Sequence, residues 1–306
     1  MVRKLQFSNG TLIPSEEESS PIQIYITPTA VELKSLVERY GIDAYNLSSA
    51  LDPDELSRFE YDTDTRILSM ILKEPTQYAP EDEFFFKVTS IGIFLTPERL
   101  FIVAPQEISL LNGKLTFKLA TLNDVILKLI YEVIYHFLGH LKVINVAAED
   151  IEDKISASMD NKYLLNLFTL EKSLVYILNG LHQNAMVFEK LRVNARRLDL
   201  SERNVEMLED ISIENNQALK QSEIYSNILS NLMDARVSIV SNNLNIIMKR
   251  LTILTVTIML PTFVVSAFSM NVKIPLAEHP FAWLVIMGIS VLAAAIFLVI
   301  WRFWRK

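Results

Sequence analysis

Between residues 245 and 271 the chain reads NIIMKRLTILTVTIMLPTFVVSAFSMN, apolar enough to cross a bilayer except along one line of positions. Stepping alternately four and three residues from Ser241 meets Asn245, Met248, Thr252, Thr255, Met259, Thr262, Ser266 and Ser269. Every stop is a small polar residue or a methionine. The neighbouring line is Leu251, Leu254, Ile258, Val265 and Phe268. A repeat of about 3.5 residues holds one helix face toward partner helices in a left-handed bundle. In a membrane such a polar line faces other helices or water rather than lipid. Packing between helices explains a generic line of Ser and Thr equally well. The same phase continues upstream through Asn227, Asn231, Asp234 and Ser238, which favours a water path on the axis of a helical oligomer.

The pattern elsewhere is of three kinds. Residues 22–28 alternate as a short strand, and Val31, Leu33, Leu36 and Val37 give helical spacing that Gly41 ends. Asp52-Pro53 predicts a helix start, with an acid at the cap and proline at the first position. Strands are expected over 66–73, 84–95 and 100–104, the last two joined by a turn at 96–99. Met1–Ser20 is polar, with Glu16, Glu17 and Glu18 in an expected flexible lead-in. Residues 1–120 thus read as an α/β domain. From Thr121 two long helices follow, 122–158 and 162–198, turning at 159–161. Leu127, Ile130, Ile134, Phe137 and Leu141 form one apolar face. Lys128, Glu132, His136, His140 and Lys142 argue against a membrane span there. Ser201 opens a third helix that nothing stops before Asn271, on the order of 100 Å at about 1.5 Å per residue. Its part up to 250 is a stalk, and the rest crosses the roughly 30 Å of hydrocarbon. Pro261 removes one backbone donor and predicts a bend. Phe281–Trp301 is a second span, so residues 251–301 hold two spans with an external loop at 271–280, and 302–306 form a basic tail. Lys249 and Arg250 before the first span, with Arg302, Arg305 and Lys306 after the second, place both ends in the cytoplasm.

Composition narrows the chemistry. The 306 residues are 50% hydrophobic with a mean hydropathy of +0.25, as expected of a soluble part joined to a membrane part. There is no cysteine, so disulfides and thiolate metal sites are excluded. A net charge of -7 argues against a nucleic-acid partner. No signal peptide is apparent. No catalytic constellation stands out. His136 and His140 share the i, i+4 spacing of a metal face, but the intervening residues lack the glutamate of a zinc hydrolase, and a structural role is favoured. The acidic run Glu149, Asp150, Glu152 and Asp153 reads as a solvated helix end.

The end of the first span carries a resemblance. Ser269-Met270-Asn271, after a proline-containing span and before a second one, resembles the Gly-Met-Asn signature of the CorA family of divalent-cation channels, with Ser269 in place of glycine. Leu260-Pro261-Thr262-Phe263 and Ala267-Phe268 resemble that family too, as does the layout of a soluble domain, two C-terminal spans and a basic end. The resemblance implies an α+β membrane protein. Its cytoplasmic α/β domain, helical hairpin, stalk and two transmembrane helices would build a pentameric funnel in the plasma (inner) membrane. It implies an ion-selectivity site at Ser269, Met270 and Asn271, and cytoplasmic sensing of divalent ions at acids such as Asp210 and Asp234. The expected partners are lipid, further copies of the chain and divalent cations.

Magnesium is the first expectation for the ion, since it usually keeps several waters and neutral amides can bond those waters without stripping them. The span has no Cys, His or Asp, which argues against a tight dehydrated zinc site. Met248 and Met259 would narrow the path as apolar rings. Lys273 beside the mouth, opposed by Glu278, does not suit a cation path. Zn2+ or Co2+ transport is the second reading, and a non-conducting membrane-anchored scaffold the third.

Overall fold

The computed structural model describes residues 1–78, 84–108, 118–157, 162–270 and 280–304. The turn expected at 159–161 and the loop with Asn271, Lys273 and Glu278 lie outside these residues. The chain forms two compact units, Met1–Met233 and Asp234–Lys306.

The first unit is built on a seven-stranded sheet in the order β2-β1-β3-β7-β6-β5-β4. Its strands are β1 (Val2–Ser8), β2 (Thr11–Pro14), β3 (Ile22–Ile26), β4 (Arg58–Tyr61), β5 (Leu68–Pro75), β6 (Val88–Leu95) and β7 (Leu100–Ala104). All neighbours are antiparallel except β3 and β7, which run parallel with Ile22 opposite Leu100. The flexible lead-in expected at the start is instead the β1–β2 hairpin. Ser8 pairs with Thr11 across Asn9 and Gly10, whose φ values of 49° and 79° both lie in the left-handed region. Asn-Gly is the pair that such two-residue turns favour, because their twist matches that of the strands.

Helix α1 (Ala30–Tyr40) opens on a capping box. Thr29 Oγ1 accepts from the Glu32 N–H, and the Thr29 N–H donates to the Glu32 carboxylate at 2.7 Å. Gly41 closes the helix at φ 69°. The helix expected at Asp52-Pro53 does not form. Asp52 accepts from the Asp54 N–H in a local turn, and the helical segment lies before it, α2 (Ala44–Ser49) capped by Asp43. Carboxylates serve turns as readily as caps, so proline after aspartate does not by itself propagate a helix.

The sheet has a core on each face. Alternation on β6 and β7 sends Phe94, Phe101 and Val103 toward α1 and α2, with Leu36 and Leu47. Ile91, Ile93, Leu100 and Ile102 go to the opposite face, against α3 (Leu122–Ala157) and α4 (Lys162–Val193). The face of α3 read from periodicity (Leu127, Ile130, Ile134, Phe137 and Leu141) is buried to 1% exposure or less. It packs into this core rather than facing lipid. The start of α5 (Glu202–Phe268) joins the same core through Leu208, Ile211 and Ala218. Ser201 caps it as expected, accepting from the Asn204 N–H. Asn204 in turn donates to Asp124 at 2.7 Å, tying the starts of α3 and α5 together.

Beyond Ile71, β5 has no β4 partner, and a side chain of α4 takes that place. The Lys73 N–H donates to Asn184 Oδ1 and the Asn184 amide donates to the Lys73 carbonyl, both at 2.8 Å. Gly180 lets α4 come this close, since a Cβ there would lie 3.2 Å from both Lys73 Cβ and the Phe137 ring. The Lys73 ammonium is buried and donates to the Pro53 carbonyl at 2.6 Å and to Ser90 Oγ at 3.1 Å. The turn at 52–54 therefore satisfies a buried charge.

Candidate ion pathway

Two helices of the described residues are long and apolar enough to cross a membrane, α5 and α6 (Ala282–Trp304). Helix α5 runs on through Pro261. Within the second unit, partial burial follows helical spacing. On α5 it falls on Ile253, Val256, Thr257, Leu260, Val264 and Phe268. On α6 it falls on Ala282, Ile286, Ala293, Ala294 and Phe297, with Ser290 fully buried among them, and small residues there permit close approach. These are the faces the two helices turn to each other.

The polar line lies on the other side of α5. At about 100° per residue, Met248, Thr252, Thr255, Met259, Thr262 and Ser266 fall opposite Thr257 and Val264. All of them are exposed, as are Asn245, Ser269 and Met270. Four of the hydroxyls share one geometry. Thr252, Thr255, Thr262 and Ser269 each donate to the carbonyl four residues back, at 2.8–2.9 Å. With the proton committed to the helix, each oxygen presents lone pairs outward as an acceptor. The line is therefore a row of fixed acceptors without formal charge, interrupted by Met248 and Met259.

Asp210 and Asp234 are both exposed on α5, Asp210 in the first unit and Asp234 in the second. Among the described residues no group of three or more His, Asp or Glu is placed to hold a metal ion. His136 and His140 pack edge to face with centroids 4.6 Å apart, and His140 also meets Phe86. Burial pushes both imidazoles down, His140 to about 4, so both are neutral at pH 7.

Periodicity does not reveal Glu74, on β5 beside these rings. It is 6% exposed, its Oε1 lies 4.0 Å from His136 Nδ1, and burial pushes its carboxyl up to about 8. An acid whose folded pKa is raised carries no penalty below its unfolded value near 4.5. The folded state then loses stability as pH rises from there to about 8. The two histidines act oppositely and cost stability as pH falls below their ordinary 6.5. Glu74→Gln should thus melt close to wild type at pH 5 and several degrees above it at pH 9. Equal melting curves at pH 9 would show that the carboxylate is relieved by some other route.

An α/β unit is thus followed by two helices long and apolar enough to cross a membrane, one of which carries a row of neutral oxygen acceptors. A model of the CorA-like Mg2+ transporter protein family matches residues 23–305, and the chain belongs to that family, one of ion transporters and not of enzymes. The cobalt/magnesium transport protein CorA of Methanocaldococcus jannaschii is 27% identical over 289 residues, 90% of this chain and 87% of that protein. The complete structure of the CorA magnesium transporter from the same organism superposes with a TM-score of 0.84 at 23% identity, covering 99% of this chain and 97% of that one. Full-length CmaX gives 0.74 at 16% identity, covering 100% of this chain and 98% of that one.

Proposed function

We propose that the chain is a divalent-cation channel, magnesium foremost, that passes hydrated ions along the polar line of α5 on the axis of a homopentamer. It sits in the plasma membrane with both termini in the cytoplasm. The observation that carries this reading is the row of outward acceptors on the α5 face that α6 leaves open. Neutral oxygens bond the waters of a hydrated cation without the grip that would trap it. A doubly charged ion gains roughly 4–5 kcal/mol per 100 mV on moving inward, enough to drive uptake without a fuel. Flux of magnesium, zinc and cobalt into vesicles holding the purified chain tests it. Magnesium should lead, zinc or cobalt ahead would favour the second reading, and no flux at all would leave a membrane-anchored scaffold.

Ser269, Met270 and Asn271 form the outer selectivity site in this reading, and Asn245 forms a second polar ring. Met248 and Met259, 58% and 62% exposed on the line, are the apolar rings that close the path by dewetting. Met248→Ser should raise basal flux several-fold. Unchanged flux from a protein that still assembles would make Met248 a packing residue. Cytoplasmic divalent ions gate the channel through Asp210, with Asp234 as a further acid. Millimolar magnesium should protect the wild type from proteolysis and protect Asp210→Ala less. Equal protection would remove Asp210 from the regulatory site.

A further inference from the structure

The inner ends of the two spans carry positive charge with no acid beside it in sequence. Between Asp234 and Glu278 there is no Asp or Glu, and none follows Glu278. Lys249 and Arg250 precede the first span, and Arg302, Arg305 and Lys306 follow the second, in a chain whose net charge is -7. Lys249, Arg250 and Arg302 are exposed, and among the described residues none of the three has a hydrogen bond or an ion pair.

The helices bring these charges to one level. The faces that α5 and α6 turn to each other run from Phe268 back to Ile253 and from Ala282 on to Phe297, 15 positions each (268 − 253 and 297 − 282). In an antiparallel hairpin Ile253 therefore lies beside Phe297, and one further turn of each helix, about 6 Å, reaches Lys249 and Trp301. At about 100° per residue, Lys249 and Arg250 straddle the face toward α6 and are turned away from the polar line. Arg302 lies on another face of α6, one turn beyond Leu298 and in phase with Val291. Those two are 41% and 64% exposed, so the cation heads an open apolar strip.

We propose that this end of the hairpin binds anionic phospholipid of the cytoplasmic leaflet, its phosphate on Arg302 and its acyl chains along Leu298 and Val291. Lys249 and Arg250 draw further anionic headgroups to the same level. Each basic side chain at the headgroup level raises the attraction for anionic lipid about fivefold. The planar fork of arginine can take two phosphate oxygens at once. A soluble anion has no chain to cover the apolar strip, which selects the lipid over free phosphate. The inference rests on the reading of α5 and α6 as spans with cytoplasmic ends. Its test measures no flux, so its failure and that of the channel are told apart.

The full-length chain is reconstituted in phosphatidylcholine, and electron spin resonance of chain-labelled lipids gives the affinity of phosphatidylglycerol relative to phosphatidylcholine at the protein surface. A preference of about fivefold or more is expected at about 0.1 M salt, falling severalfold at about 1 M. Arg302→Gln should lower the preference about twofold or more, and adding Lys249→Gln and Arg250→Gln should bring it close to parity. Arg302→Lys should retain most of it, and Lys273→Gln, in the loop between the spans, should leave it unchanged. The substituted side chains on the helices are exposed, so the hairpin should fold, and the salt dependence tests the wild type alone. The proposal is overturned by equal affinity for the two lipids in the wild type, by a preference that survives the triple variant or high salt, or by its loss in Lys273→Gln. Competition by millimolar inorganic phosphate would also overturn it, since the site would then take a free anion.

Discussion

Asn271→Ala should assemble as the wild type does yet lose magnesium uptake by about tenfold or more. Asn271 follows the first span immediately, where α5 closes at Phe268 and the Ser269 N–H turns back onto the Ser266 carbonyl at 3.1 Å. In the proposed oligomer its side chain contributes one amide per subunit to a ring at the outer mouth. An amide can accept from the waters of an arriving cation and imposes no charge, so it selects without removing the shell. Alanine removes that ring. Asparagine also suits helix ends, and two further variants separate the roles. Asn271→Gly keeps a good helix end but no amide, so uptake at the wild-type level would sink the selectivity ring. Ser269→Gly restores the letter of the family signature and should keep uptake or raise it.

The second large effect is on stability. Asn184→Ala should lower the melting temperature of the full-length protein by roughly 6–12 °C, from about 3 kcal/mol and the usual slope for a unit of this size. Asn184 is fully buried and extends the sheet with a side chain, satisfying both backbone groups of Lys73 where β4 has ended. It also accepts from Ser57 Oγ at 3.1 Å. Alanine leaves a buried donor and a buried acceptor without partners, which costs more than the net worth of the bonds. Asn184→Asp keeps the acceptor and loses the donor, and should fall at least as far because it adds a buried charge. A shift below about 2 °C for Asn184→Ala would mean that water enters and replaces the amide.

Periodicity along the chain made most of the helical architecture legible. The apolar face of α3, the stop at Gly41, the start at Ser201 and the two spans all depend on local spacing or on caps a few residues long. The polar line was legible for the same reason, and it falls on the α5 face left open by α6. The strands at the start were legible in principle, because Asn9-Gly10 marks a hairpin. The glutamates after it drew attention to charge instead. Asp52-Pro53 was ambiguous at the level of local chemistry, since a carboxylate closes a turn and caps a helix by the same bond. Glu74 and Asn184 were not legible. A glutamate and a lysine ending an apolar strand look like its solvent-facing end. Only the layers folded over both sides of β5 bury them, and that burial is set by α3 and α4 from about 60 to 110 residues further along.

The single parallel pair in the sheet has a consequence for how the chain is made. Strands β1 to β3 form an antiparallel group within the first 26 residues, with β1 between β2 and β3, and β4 to β7 form a meander between residues 58 and 104. Only β3 and β7 join them, and the partners Ile22 and Leu100 are 78 positions apart (100 − 22). The first group leaves the ribosome with the β3 edge unfilled and waits for the last strand of the meander. Contacts of such separation slow folding, because the loop must close before they repay its entropy. During that wait β3 is an open template for a neighbouring nascent chain. At 5–20 residues per second, roughly 4–16 seconds pass before Leu100 emerges to close it. Slower translation through β4 to β6 should therefore increase aggregation of newly made chains, while the stability of those that finish folding stays the same.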